Sequence, residues 1–199
     1  MLQLKEGNFY HIYNRGNNKE DIFREERNYH HFLFLYQKYV VPFVDTFAYC
    51  LLKNHFHLLI RIKGSSQSKT WEVSKTSQVS SVSLQFSHLF NAYAKAFNKA
   101  YNRTGSLFQE RFQRKLITTD TYLLQVLGYI HLNPQHHGFI EDFRLYPYSS
   151  YQTLISKNDT FLACDEVILW FGNVKQFEEF HRNVFENELL EDLIKEDRD

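Results

Sequence analysis

Asp45-Thr-Phe-Ala-Tyr-Cys-Leu-Leu-Lys-Asn-His55-Phe-His57-Leu-Leu-Ile-Arg-Ile-Lys-Gly64 decides the fold: two apolar runs meet at Lys53 and Asn54, as in a two-strand hairpin. Strand side chains alternate between faces, so His55, His57, Leu59 and Arg61 share one face while Phe56, Leu58, Ile60 and Ile62 share the other. At the usual strand rise the two histidine Cα atoms stand roughly 6.6 Å apart, close enough for both rings to lean onto one ion. The competing reading of a His-x-His pair is two satisfied core histidines. The rest of the chain has to decide between them.

Working outward, Phe9 to Tyr13 reads as a short strand, followed by the turn formers Asn14-Arg15-Gly16-Asn17-Asn18. From about Glu26 to Val40, Tyr29, Phe32, Leu33, Tyr36 and Tyr39 recur at helical spacing, and Pro42 lies just past the end. Gly64 to Ser81 is rich in Ser, Thr, Gln and Lys, with Trp71 its one aromatic, and is expected to be an exposed, mobile loop. Helical period resumes from Val82 to Tyr101, and the later part of Leu107 to Ile117 reads as a fourth strand. Asp120 is the expected cap of a last helix stopped by Pro134. The order strand, helix, strand, strand, helix, strand, helix predicts an α+β fold. It is the ferredoxin-like split β-α-β (β-α-β-β-α-β) antiparallel sheet with one added helix, two helices on one face and the other face free for a ligand.

On the added helix, Tyr129 and Asn133 are four residues apart and share a face, with Tyr122 on the same side two turns earlier. A helical tyrosine ordinarily just packs, and an Asn before proline ordinarily just ends a helix.

Composition bounds the function. The 199 residues, 43% hydrophobic and 17% aromatic, suffice for a buried core. Two cysteines, Cys50 and Cys164, with no Cys-x-x-Cys pair and no apolar leader, point to a reducing, cytoplasmic compartment. No apolar run is long enough to span a membrane. The net charge is zero but unevenly spread: residues 1–150 carry 18 Lys+Arg against 11 Asp+Glu, and residues 151–199 carry 5 against 12. A basic body with an acidic tail hints at a polyanion partner, against the plainer reading of a solvated basic surface.

Several of these segments together resemble the single-tyrosine HUH transposases, and within them the REP-associated tyrosine transposases. The residues that carry the resemblance are Asn14-Arg15-Gly16, Ala48-Tyr49-Cys50-Leu51, His55-Phe56-His57-Leu58-Leu59-Ile60, Gly105 to Phe112, and Tyr129-Ile130-His131-Leu132-Asn133-Pro134. It spans roughly residues 8–151 and departs where Lys53 stands in place of the family's frequent proline. The resemblance implies a metal-dependent single-stranded DNA endonuclease and strand transferase, with Tyr129 as the nucleophile that forms a 5′-phosphotyrosine. It implies His55, His57 and Asn133 as ligands of a divalent ion, Mg²⁺ or Mn²⁺, and a substrate beside a hairpin. Monomer and homodimer both stay open.

The cations expected to meet phosphate are Arg15, Lys19, Lys53, Arg61, Lys63, Arg103, Arg111, Arg114 and Lys115, of which alternation within the hairpin places only Arg61 on the histidine face. Residues 1–151 are expected to form the catalytic domain and 152–199 an acidic helical extension. That extension reads as helices around Val167 to Phe171 and Gln176 to Lys195, either packing on the domain or screening its DNA groove. Two rival functions remain on the residues themselves: a ferredoxin-like nucleic-acid-binding module without catalysis, and a metal-dependent hydrolase with water as nucleophile.

Overall fold

The computed structural model describes residues 3–64, 75–158 and 160–183, with backbone alone for 75–81. Its strands are β1 (Phe9–Arg15), β2 (Val44–Leu52), β3 (His55–Ile62) and β4 (Gln113–Ile117). Its helices are α1 (Glu26–Tyr39), α2 (Lys75–Ala100), α3 (Asp120–His136), α4 (Tyr151–Ser156), α5 (Cys164–Phe171) and α6 (Val174–Asn183). The sheet order is β2-β3-β1-β4, and β3 with β2, β1 with β3, and β1 with β4 all pair antiparallel. This is the expected α+β, ferredoxin-like order.

The β2–β3 turn at Lys53 and Asn54 is not one of the strong two-residue turn sequences. Tertiary contacts hold it instead. The Lys53 carbonyl accepts the N–H groups of Ile22 and Phe23 at 2.7 and 2.8 Å, and the Asn54 carbonyl accepts that of Gly16 at 2.7 Å. Gly16 has to be glycine, because a Cβ there would collide with the Glu20 carbonyl.

One sheet face meets α1 and α2 through an aromatic core. Phe32 and Phe90 both pack on Phe56 with tilted rings, centroids at 5.1 and 5.7 Å, and Phe86 packs on Phe112. Fully burying one such ring stabilises the fold by roughly 1.5–3 kcal/mol.

The histidine face was expected to lie free, and it does not: α3 crosses it, leaving His55 and His57 only 3% and 1% exposed. The reason is the breadth of the apolar surface on α3, where Leu123, Val126, Leu127, Ile130 and Leu132 are all buried and need a sheet to pack on. Farther along the same face, Trp170 of α5 packs on Phe9 and Phe47, with centroids at 5.9 and 4.9 Å. Phe47 sits at an irregularity between Thr46 and Ala48 that shifts the β2–β3 register.

Three local expectations are corrected. The helix α2 begins at Lys75, seven residues before Val82, so only residues 65–74 of the expected loop, Trp71 among them, lie outside the described residues. The cap of α3 is Thr119, whose side chain accepts from the Tyr122 N–H, and Asp120 stands in the first turn. Pro134 lies inside α3, because the chain closes one more turn beyond it: His137 N–H donates to the Asn133 carbonyl and Phe139 N–H to the Pro134 carbonyl. The helix α4 was not foreseen. The expected helix from Gln176 to Lys195 is seen as α6 up to Asn183, and its acidic remainder lies outside the described residues.

Candidate active site

Strand register sets the site's floor. Arg15 lies opposite His55, Tyr13 opposite His57 and His11 opposite Leu59, so His11, Tyr13 and Arg15 share the histidine face; Lys115 of β4 lies opposite His11 and joins them. Sequence reasoning missed His11, although the alternation Phe9, His11, Tyr13 places a third histidine on one face of an already recognised strand. It also placed Arg61 alone among the cations on this face, where pairing adds Arg15 and Lys115. Burial pushes the Lys115 ammonium below its ordinary range.

Each floor histidine is oriented by a neighbour. His55 Nδ1 is 2.7 Å from Asn54 Oδ1. An amide oxygen only accepts, so in the neutral ring Nδ1 carries the proton and Nε2 the lone pair. His57 Nδ1 and His11 Nε2 are 2.9 Å apart and share one proton. With that proton on His57, its Nε2 also presents a lone pair. A hydrogen bond to one ring nitrogen in this way fixes which nitrogen is left to meet an ion.

The roof is α3. The Tyr129 ring stands edge-on to His57 at 5.4 Å and to His11 at 6.0 Å, and Tyr129 is 2% exposed. Two turns on, the ring of His137, a residue the sequence did not single out, stands 4.9 Å from that of His55. Asn133 lies one turn from each of Tyr129 and His137, so it sits along the helix between the two histidine contacts. Its Nδ2 donates back to the Tyr129 carbonyl at 3.2 Å, while its Oδ1 is buried with no hydrogen-bond partner among the described residues. A buried, unpaired amide oxygen is costly unless something occupies it, and a hard divalent ion suits it. No group of three His, Cys, Asp or Glu arranged to hold a metal occurs among the described residues. Two imidazoles, His55 and His57, and the Asn133 amide oxygen are the donors here whose chemistry would suit a divalent ion.

The expected phosphate contacts do not act as one set. Arg61 is tied to Asp45 at 2.8 Å and to Glu166 at 2.6 Å, and lies over the rings of Phe9 and Phe47. Lys63 donates to the Val41 carbonyl at 2.9 Å. Arg103 pairs with Glu20 at 2.8 Å and donates to the Ser106 carbonyl at 2.8 Å. Lys19, Lys53 and Arg111 are exposed. Arg114 points to the opposite face, stacked on Phe112 at 4.2 Å.

Against this geometry, no family model matches the chain. A protein of Haemophilus influenzae with the provisional name REP-associated tyrosine transposase is 32% identical over 113 residues. That match covers 55% of this chain, and the chain spans 60% of the relative's length. The solved structure of a REP-associated tyrosine transposase bound to a REP hairpin matches with a TM-score of 0.52 at 16% identity, over 79% of this chain and 84% of that one. The chain is similar to the REP-associated tyrosine transposases in sequence and in fold. The fold that matches this solved structure is a four-stranded antiparallel sheet with helices. Among the described residues no helix is long and apolar enough to cross a membrane.

Proposed function

We propose that the chain is a transposase that cleaves and rejoins single-stranded DNA beside a hairpin, with Tyr129 as nucleophile. The seating of Tyr129 against His57, on the helix that also brings in Asn133, carries this reading. The names of its relatives support it. Attack of the Tyr129 hydroxyl oxygen on phosphorus forms one P–O bond as the bond to the 3′ oxygen breaks. The 5′ phosphate stays on Tyr129, the phenolic proton passes to the departing 3′ oxygen, and the exchange of one ester for another keeps the step reversible.

An ordinary phenol is only about 0.1% ionised at neutral pH, so the site has to stabilise developing charge. Mg²⁺ or Mn²⁺ held by His55, His57 and Asn133 would polarise the scissile phosphate and offset that charge. The protein's own part is orientation and field. Asn54 and His11 set the two imidazoles, and Arg15 and Lys115 add positive charge on the same face, where phosphate has to arrive. Because Tyr129 is 2% exposed, the incoming strand has to displace part of its cover before the oxygen meets phosphorus.

The test is a denaturing gel of the protein incubated with labelled hairpin-containing strand and Mn²⁺. Label should migrate with the wild-type protein and not with Tyr129→Phe, while DNA binding stays within a few-fold. Cleaved DNA without attached protein would assign the reaction to water, and binding without any cleavage would leave a nucleic-acid-binding module.

A further inference from the structure

The helix α3 carries a buried histidine, His131, on its other side. His131 is two residues from both Tyr129 and Asn133, about 200° around the helix from each, and is fully buried away from the sheet histidines. Its Nε2 is 2.8 Å from Ser150 Oγ, and its Nδ1 is 2.8 Å from Nε2 of His181 on α6. His181 Nδ1 is in turn 2.8 Å from the Phe177 carbonyl oxygen.

Every proton in this chain has one place. The Phe177 carbonyl only accepts, so His181 Nδ1 donates and, in a neutral ring, Nε2 accepts. His131 Nδ1 then donates to His181, and His131 Nε2 accepts from the Ser150 hydroxyl. Ser150 Oγ also accepts the Tyr49 N–H of β2 at 2.9 Å. A continuous set of hydrogen bonds thus runs from the sheet through α3 to α6.

The segment it grips lies between the glycine and the proline of α3, the two residues that support a helix least. Gly128 precedes Tyr129 without a side chain to pack, and Pro134 removes the hydrogen bond that would close onto the Ile130 carbonyl. His131 stands midway between them. A roll of about 10° moves an atom roughly 6 Å from the helix axis by about 1 Å. Displacements of that size at a reacting group can cost about 100-fold in rate.

We infer that the Ser150–His131–His181 chain sets the roll of α3 and so the approach of Tyr129 to the sheet histidines, making His181 of the C-terminal extension a positioning residue for strand cleavage. The inference rests on Tyr129 being the nucleophile. Phe143, Tyr151, Phe171 and Phe177 surround His181, with centroids at 6.1, 5.1, 6.3 and 4.2 Å. Their burial pushes its pKa down to about 4, which keeps the ring neutral as the chain requires.

The full chain is compared with His181→Leu, which fills space but cannot accept, and His181→Gln, whose amide oxygen can replace Nε2 as acceptor. Rates are taken per folded molecule, with circular dichroism giving the folded fraction. His181→Leu should slow single-turnover adduct formation by about tenfold or more with DNA Kd within about threefold, and His181→Gln should stay within about threefold of wild type. An undiminished rate in His181→Leu, or equal slowing in both variants, overturns the inference. Manganese affinity, measured with Mn²⁺ alone by calorimetry, is a second readout, because Asn133 moves with α3. If the wild type forms no adduct, the proposed reaction fails. Whether this chain sets α3 is then decided by Mn²⁺ binding: about tenfold weaker binding in His181→Leu, restored in His181→Gln, upholds it, and equal affinity in all three proteins, or none, overturns it.

Discussion

Among the described residues two hydrogen-bonded histidine pairs have nearly the same shape but different surroundings. His11 and His57 are joined at 2.9 Å with ring centroids 5.1 Å apart and planes at 25°; His131 and His181 are joined at 2.8 Å, 5.0 Å apart and at 36°. All four rings are buried. Burial and ring geometry therefore do not separate a candidate ligand pair from a structural one. What separates them is how each pair ends. The His131–His181 pair runs into a serine hydroxyl on one side and a backbone carbonyl on the other, so neutral rings satisfy it completely. The His11–His57 pair lies beside His55 and under Tyr129, whose helix also carries Asn133 with its Oδ1 buried and without a partner among the described residues; this is where the proposed ion and phosphate would be received.

The comparison breaks most sharply on substitution. His57→Ala should abolish Mn²⁺-dependent cleavage, a loss of about 100-fold or more, while destabilising the fold by only about 1–3 kcal/mol for the polar partner left on His11. Cleavage assays beside thermal melts check this. A melt collapsed far below wild type, with cleavage per folded molecule intact, would make the sheet pair structural as well.

An effect of comparable size should appear with pH. Burial depresses the His181 pKa to about 4 and holds that of His131 well below its usual value, with the neighbouring His181 adding to the depression. Between about pH 6.5 and 4 the unfolded chain therefore binds a proton at position 181 that the folded chain refuses. Stability falls as pH falls through that window, by on the order of 3 kcal/mol from His181 alone. Denaturant melts across this range should show the slope, and His181→Gln should reduce it. A slope unchanged in the variant would place the acid sensitivity elsewhere.

The smallest effect concerns charge. The described part of α6 supplies Lys175 and Arg182 against Glu178 and Glu179, so most of the acidic excess lies beyond Asn183. Truncation before Gln176 would strip Phe177 and His181 from the core; a cut after Asn183 spares both. If the acidic residues offset the field of the basic body, that cut should raise DNA affinity at about 0.01 M salt. The gain should fade by about 0.15 M, as the Debye length falls from about 30 to 8 Å. Equal affinity at both salts would leave the acidic residues without a screening role.

Much of this was legible in the chain itself. Periodicities of 2 and 3.6 residues are local properties, so the Val44–Leu52 and His55–Ile62 strands and the Glu26–Tyr39 helix, and with them the split β-α-β order, could be read directly. The same alternation placed His55 and His57 on one face, and helical spacing placed Asn133 one turn from Tyr129. Tertiary structure alone decided what each side chain meets. Pairing of β1 with β3 and β4 brought His11, Arg15 and Lys115 to the histidine face, because strand neighbours far apart in sequence have no local signature. Distant carboxylates likewise claimed Arg61 and Arg103, which in sequence look no different from the exposed Lys53. Helical spacing by itself directs His131, within the Tyr-Ile-His-Leu-Asn motif, away from the site, but only packing supplies the group fifty residues away that receives it.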